Sequence, residues 1–305
     1  MATGIVLFAN PNADNIVDDL IAQARRAHDL GVRQVWLPQR FDYDAIGVAG
    51  VIGAAVPGLG VGTFVVPFNP RHPLIVASQA QTAQAAAHGR FTLGLGLGAH
   101  EVERRAFGTA WPHTIARLRE HLTVLRSIFD SGVADFHGEE FTANPEWPVQ
   151  VPGGTPVPLY VAAMGPKALQ VTGELADGTL PYLAGPRTIA DFIAPTVVRA
   201  AADAGRPAPK IVAAVPVVVS DDAGAGRRRA AEHLSFYEQI PSYRRVLERE
   251  GVDSAVDVAA VGPAEAVTRQ LKNYLEAGAT DVVLSAVDGI DPAQREAIWT
   301  IAAQL

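Results

Sequence analysis

Residues 59–98 read LGVGTFVVPFNPRHPLIVASQAQTAQAAAHGRFTLGLGLG, and the rest of the chain repeats the pattern of this stretch. Two apolar runs, residues 59–66 and 91–97, flank a polar and alanine-rich segment at residues 73–87. Continuous apolar runs bounded by Gly and Pro are typical of strands that are buried on both faces. Pro73 suits the first turn of a helix, where the missing N–H removes no hydrogen bond. The stretch therefore predicts two parallel strands joined by a helix.

The same alternation of strands and helices extends over the whole chain. Strands are predicted at residues 4–9, 34–37, 59–66, 91–97, 159–163, 177–183, 210–220 and 281–287. Helices are predicted at residues 13–30, 42–54, 73–87, 112–130, 166–176, 188–204, 224–240, 243–250 and 263–277, followed by a short terminal helix. A charged loop is predicted at residues 99–111, and an excursion with a small hairpin around Gly138 at residues 136–157. Because eight strands alternate with helices, we predict one α/β domain over residues 1–305, a (β/α)8 TIM barrel with insertions.

Two Rossmann-like halves would give the same alternation of elements. That architecture ranks second, because no predicted strand is followed by the glycine-rich phosphate fingerprint at the right place. In a (β/α)8 barrel the loops at the carboxyl ends of the strands build the active site. We therefore expect the substrate pocket to be lined by the loops after the first, second and fourth strands and by the insertion after the seventh.

Composition excludes several classes of function. With 49% apolar and 19% charged residues, the chain can bury a large core, and its net charge of -7 argues against binding to nucleic acid. The absence of cysteine excludes disulfides, thiolate metal sites and cysteine nucleophiles. No metal-ligand spacing and no G-x-S-x-G elbow occur, so we predict neither a metal site nor a serine hydrolase. The chain opens directly into strand-like residues and has no apolar run of membrane-spanning length, which predicts a soluble, cytoplasmic protein.

Two motifs point to a ligand. Met164-Gly165-Pro166-Lys167 follows a predicted strand and opens a helix, where free amides and the helix dipole attract an anion and Lys167 adds charge. An ordinary turn with a surface lysine would have the same sequence. The glycines at 94, 96 and 98 either relieve crowding in a barrel strand or let a flat ligand approach bare backbone.

Four side chains on the predicted rim of the barrel could transfer protons: Asp42, His72, His100 and Glu101. Each could equally be a helix cap or a surface residue, and either Asp42 or Asp44 could cap the helix that follows. An enzyme without a nucleophile or metal signature, but with an anion site on a barrel, is expected to take its chemistry from a cofactor.

The ordered motifs resemble the luciferase-like monooxygenase superfamily. They are TFVVP (63–67) with RHP (71–73), GRFTLGLG (89–96), MGPKAL (164–169), ADG (176–178) and AGATD (277–281). The GPK turn and the ADG strand are most similar to the branch that uses the deazaflavin coenzyme F420. Residues 36–44, WLPQRFDYD, are similar to an actinobacterial subgroup of deazaflavin-dependent oxidoreductases. The resemblance implies an enzyme, commonly a homodimer, that exchanges a hydride between C5 of the deazaflavin and a small organic substrate.

The resemblance also implies where the cofactor and the chemistry lie. A cis peptide is expected at Phe64–Val65, or one residue away, behind the cofactor ring, and the cofactor phosphate is expected at residues 163–167. The implied cofactor-binding residues are Thr63, Phe64, Val65, Gly96, Leu97, Gly98, Ala163, Met164, Gly165, Pro166 and Lys167. For proton transfer we favour His100 with Glu101, which directly follow the glycine strand, and keep His72 and Asp42 as candidates.

One departure argues against oxidation of a sugar phosphate. The sugar-phosphate dehydrogenase of this family has a histidine and a tryptophan after the second strand, where this chain has Gln39, Arg40 and Phe41. Two alternatives to an F420-dependent oxidoreductase stay open. One is a monooxygenase that uses reduced FMN and oxygen, and the other is a non-catalytic barrel that binds flavin or stabilises a partner.

Overall fold

Eight parallel strands close into a barrel in the computed structural model, which describes residues 3–98, 100–287 and 292–305. The strands are β1 (Thr3–Val6), β2 (Gln34–Leu37), β3 (Gly60–Thr63), β4 (Val66–Pro67), β5 (Phe91–Gly96), β6 (Phe136–His137), β7 (Thr142–Ala143), β8 (Leu159–Ala162), β9 (Gly178–Thr179), β10 (Lys210–Val219), β11 (Ala260–Gly262) and β12 (Asp281–Ala286). The barrel order is β1, β2, β3, β5, β8, β9, β10 and β12, and β12 pairs with β1 to close the ring. The predicted (β/α)8 barrel is confirmed.

Helices cover the outside of the barrel. They are α1 (Ile16–Asp29), α2 (Ala45–Ala55), α3 (Pro73–Ala86), α4 (His100–Phe107), α5 (Thr114–Ser131), α6 (Pro166–Leu175), α7 (Pro186–Thr188), α8 (Ala194–Asp203), α9 (Ala223–Glu238), α10 (Pro241–Glu250), α11 (Ala264–Glu276) and α12 (Pro292–Gln304). A π-helical segment, Ile189–Ile193, joins α7 to α8. The side chains of Asn15, Asp44, His72 and Asp222 cap helices by accepting hydrogen bonds from first-turn amides. None of the described helices has the length and apolar character that crossing a bilayer requires.

Aromatic side chains fill the barrel interior. Trp36, on β2, is fully buried, and its indole stacks on the ring of Tyr160 with centroids 6.3 Å apart. The ring of Phe64 meets the indole edge-on at 6.4 Å. Strands buried on both faces need apolar side chains toward both the interior and the helices, which is why the sequence shows continuous apolar runs there.

Several predicted boundaries differ from the structure. Most of the predicted loop 99–111 is the helix α4, in which Glu101 and Arg104 form an i,i+3 ion pair at 3.2 Å, and residue 99 lies outside the described residues. The predicted strand 59–66 is two strands, β3 and β4, with an interruption between them. β11 was not predicted, because its three residues form no apolar run long enough to indicate a strand. The hairpin around Gly138 is confirmed as β6 and β7.

Candidate active site

A cavity of about 860 Å³ opens at the carboxyl ends of the barrel strands. It is lined by residues at or after the ends of β1, β2, β3, β5, β8, β9 and β12, and by residues of α5, α6, α9 and α10. Helices α9 and α10 are the insertion after the seventh barrel strand, β10. The cavity therefore combines the loops and the insertion that the sequence predicted would surround the substrate, and its volume is typical of a small-molecule site.

Most of the predicted cofactor-binding residues lie together in this cavity. The lining includes Phe64, Val65, Gly96, Leu97, Gly98, Met164, Gly165, Pro166 and Lys167. Thr63 and Ala163 are fully buried and are not part of the lining. Three separate strand ends thus supply the predicted set, and its contact with a cofactor stays a prediction.

The peptide bond between Phe64 and Val65 is cis, at the position that the resemblance implied. On the neighbouring strand, a methyl group at Gly96 would lie 2.6 Å from Cγ2 of Val65. A methyl group at Gly94 would lie 2.0 Å from the carbonyl oxygen of Thr63. These two glycines therefore allow β5 to approach β3 closely, and Gly96 also presents bare backbone to the cavity.

Helix α6 begins at the cavity without a side-chain cap. Its N-cap residue is Gly165, and the amide of Leu169 donates to the Gly165 carbonyl at 2.9 Å. The amides of Lys167 and Ala168 have no acceptor within the helix. The space in front of Gly165 is open, since no heavy atom lies within 4 Å of the position that a Cβ would take. Together with the Lys167 ammonium, this geometry is suited to an anion such as a phosphate.

Two of the predicted proton-transfer residues lie outside the cavity. His72 caps α3, because its Nδ1 accepts from the Leu74 amide at 3.2 Å and its Nε2 donates to the Thr142 carbonyl at 3.0 Å. Asp42 is exposed, 3.7 Å from the guanidinium of Arg40. Asp44 is the residue that caps α2. A catalytic role for His72 or Asp42 stays a prediction.

His100 and Glu101 are the first residues of α4 and also lie outside the cavity lining. The Nε2 atom of His100 is 2.9 Å from Oγ1 of Thr114, and Thr114 lines the cavity. Glu101 is exposed and pairs with Arg104. His100 is therefore one hydrogen bond from the cavity, whereas Glu101 points to a surface ion pair. Their part in catalysis stays a prediction.

Three tyrosines that sequence reasoning missed form one wall of the cavity. Ring centroids are 5.3 Å apart between Tyr182 and Tyr237, 5.1 Å between Tyr237 and Tyr243, and 6.2 Å between Tyr182 and Tyr243. All three pairs meet edge to face, the geometry that aromatic quadrupoles favour. Burial raises the pKa of the Tyr243 phenol well above its ordinary value, so its hydroxyl stays neutral at physiological pH. The sequence did contain one signal for two of them: Tyr237 and Tyr243 lie in the insertion after the seventh strand, which was expected to line the pocket.

Carboxylates anchor the two helices of this wall. Glu250, at the end of α10, accepts hydrogen bonds from the amides of Arg187 (3.1 Å) and Thr188 (2.7 Å). Glu238, at the end of α9, accepts from the hydroxyl of Ser254 (2.7 Å) and the amide of Ala255 (2.8 Å). The wall is thus fixed at both helix ends by charge-assisted bonds to other elements.

The described cavity lining carries cations and no carboxylate. Its charged side chains are Arg40, Lys167 and Arg245, and His233 is its histidine. The chain as a whole has 32 acidic and 25 basic residues, so the lining reverses the overall balance. A cavity with one sign of charge concentrates field lines and attracts ligands of the opposite sign. The geometry suits an anionic ligand with a flat, apolar body.

The sequence profile of the luciferase-like monooxygenases matches residues 1–281. The chain belongs to this family. Among its relatives, an uncharacterized protein of Mycobacterium tuberculosis is 30% identical over 63% of this chain and 61% of its own length. An F420-dependent glucose-6-phosphate dehydrogenase of Amycolatopsis mediterranei is 26% identical over 87% of both chains. The resemblance deduced from the motifs is confirmed.

Several solved structures share the fold over nearly the whole chain. The coenzyme F420-dependent tetrahydromethanopterin reductase of Methanopyrus kandleri has a TM-score of 0.80 at 21% identity, covering 99% of this chain and 97% of its own. An F420-dependent secondary alcohol dehydrogenase has a TM-score of 0.79 at 21% identity, with coverage of 100% and 98%. A type II Baeyer-Villiger monooxygenase of Pseudomonas putida, in complex with FMN, has a TM-score of 0.76 at 17% identity, with coverage of 99% and 96%.

Proposed function

We propose that this luciferase-like protein is an F420-dependent oxidoreductase that acts on a small organic substrate. The observation that carries the proposal is the uncapped start of α6, which lies in the same cavity as the bare backbone of Gly96 and the ring of Phe64. One end of that cavity suits a phosphate, and the other surfaces suit a flat ring. Relatives named as F420-dependent enzymes support the same conclusion.

The donor set of the cavity fits the cofactor. The free amides of Lys167 and Ala168 and the Lys167 ammonium would hold a phosphate. Phe64 and Val65 on one side and Gly96 on the other would hold the ring, because they provide apolar contact without a polar group that needs solvation. When bound, F420 supplies hydride exchange at the C5 carbon of its deazaflavin ring.

The remaining work of the protein is to orient the substrate, exclude water and manage one proton. The tyrosine wall covers one side of the cavity and would exclude water from the reacting atoms. His100 could exchange a proton with the cavity through the hydroxyl of Thr114. We favour substrates other than sugar phosphates, because this chain lacks the histidine and the tryptophan of the sugar-phosphate dehydrogenase.

A monooxygenase that uses reduced FMN and oxygen is the second candidate. The observation that favours it is that FMN also combines a phosphate with a flat ring, and the FMN-containing monooxygenase has the same fold. The anion site and the apolar surfaces alone would accept either cofactor.

A fluorescence titration of the purified protein with F420 and with FMN tests the proposal. We expect F420 to bind at least tenfold more tightly than FMN. Preferential binding of FMN would replace the proposal with the monooxygenase. Failure of both cofactors to bind would overturn both candidates.

A further inference from the structure

The cavity wall formed by α9 and α10 carries both a cation and aromatic side chains. Arg245 lies two residues after Tyr243 on α10, and both side chains line the cavity. His233 and Tyr237, from α9, line it as well. These residues come from the insertion after β10, whereas the anion site at Lys167 comes from the loop after β8. The third cation of the lining, Arg40 in the loop after β2, is paired with Asp42 at 3.7 Å, so Lys167 and Arg245 are the two cations considered for ligands.

Two other arginines on α10 are engaged in structural contacts. Arg244 donates from Nε and Nη2 to the Glu238 carbonyl, at 3.4 and 3.2 Å. The guanidinium of Arg249 lies over the Phe192 ring, 3.6 Å from its centroid. Within the described part of the chain, Arg245 forms no ion pair. With no carboxylate among the described lining residues and no ion pair to a described residue, the guanidinium of Arg245 is available to a ligand.

We propose that Arg245 binds the anionic group of the substrate, and that the substrate is a small aromatic carboxylate or a similarly flat anion. This inference rests on the proposed function and names the substrate class of the same cavity. The planar guanidinium matches a carboxylate through two parallel hydrogen bonds. The edges of Tyr237 and Tyr243 provide contact for the aromatic body.

We assign the anion bound by Arg245 to the substrate because the cavity has a separate site for the phosphate of the cofactor. The start of α6 provides both free amides and Lys167 for the phosphate of the cofactor, so that group is satisfied without Arg245. An anionic group elsewhere on the cofactor is the other possible source of the same chemistry. If Arg245 binds the substrate, its replacement should lower the affinity for the substrate. If it binds the cofactor, its replacement should lower the affinity for F420.

Calorimetric titration with benzoate and benzamide tests the inference, because these two probes have nearly the same shape and differ in charge. Wild-type protein saturated with F420 should bind benzoate about tenfold more tightly than benzamide. Arg245→Gln should abolish this preference and leave the affinity for F420 unchanged. Arg244→Gln, which changes the adjacent arginine outside the cavity lining, should retain both the preference and the affinity for F420.

Three results would overturn the inference. The first is that the wild-type protein binds the two probes equally or binds neither. The second is a preference for benzoate that survives in Arg245→Gln. The third is a tenfold loss of F420 affinity in that variant, which would assign Arg245 to the cofactor. The same titrations without cofactor separate this inference from the proposed function. If F420 does not bind but the charge preference depends on Arg245, the anion site stands and the proposed function fails.

Discussion

The hydroxyl of Thr63 bonds twice to the backbone of Gly94, accepting from its amide at 2.8 Å and donating to its carbonyl at 2.9 Å. It links β3 to β5 directly before the cis peptide. Thr63→Val keeps the shape and removes both bonds, so we expect the free energy of unfolding to fall by roughly 2–3 kcal/mol. Urea denaturation measures it. Thr63→Ser, which keeps the hydroxyl, is the control, and equal stability of the two variants would contradict the role.

Lys167 should matter for cofactor binding mainly at low ionic strength. Lys167→Ala should weaken F420 binding by roughly tenfold at low salt and by much less at high salt, because salt screens an exposed charge contact. Fluorescence titrations at both salt concentrations measure the effect. Lys272→Ala changes a lysine outside the cavity lining and should have no effect. A loss that is the same at both salt concentrations would argue against a charge contact.

His100 is predicted to serve turnover rather than binding. His100→Ala should lower turnover by roughly 100-fold while the F420 affinity stays nearly unchanged, because proton transfer contributes to the chemical step. Steady-state kinetics, with a substrate that the wild-type protein converts, measure this. His137→Ala changes an exposed histidine and serves as the control. Full activity of His100→Ala would remove this residue from the mechanism.

Acid should destabilise the fold through His121. This side chain is fully buried between Phe68 and Phe141, and burial, helped by the positive charge of Arg117, lowers its pKa to about 3. The unfolded chain binds the proton near pH 6.5, so stability is lost as the pH falls below that value, by roughly 2 kcal/mol at pH 5.

Replacing His121 tests this pH dependence. His121→Phe keeps an aromatic ring in place and should flatten the decline in urea midpoint between pH 7.5 and pH 5. His137→Phe, at an exposed position, should leave the decline unchanged. An equally steep decline in His121→Phe would show that other groups cause the acid sensitivity.

A homodimer stays a prediction, and α2 is the element through which we expect it. This helix, AIGVAGVIGAA, has no charged residue, yet Val51 is 45% exposed. A surface helix that is apolar all round favours contact with another protein surface, and two-fold pairing is the commonest solution. Size-exclusion chromatography should show a dimer for the wild type and a monomer for Val51→Glu. Val133→Glu, at a valine that is 57% exposed elsewhere, should remain dimeric. A monomeric wild type would exclude the prediction.

Local sequence signals were sufficient for the barrel and for half of the cavity. Strands buried on both faces leave apolar runs such as residues 91–97, and Gly and Pro mark their ends, so the order of elements was readable. The start of α6 was predictable for the same reason, because Gly165 and Pro166 act through backbone geometry within a few residues. The charged segment after β5 was misjudged, since Glu and Arg suit both loops and helices.

Contacts between distant residues could not be predicted in this way. Tyr237 and Tyr243 face Tyr182 across more than fifty positions of sequence, and no local pattern distinguishes them from surface tyrosines. The same holds for Arg244 and Arg245, adjacent residues of which one lines the cavity. Which side of a helix faces a cavity depends on how the helix is docked, and here the carboxylates of Glu238 and Glu250 fix the docking.

The attachment of the α9–α10 wall has an evolutionary consequence. The wall is a single continuous insertion that is held at its helix ends. Phe64, between β3 and β4, and Gly96, on β5, lie elsewhere in the chain. Substitutions along its inner face can therefore accumulate without disturbing the barrel or the start of α6. Descendants of one ancestral protein can in this way inherit a common redox platform while diverging in the molecules they accept.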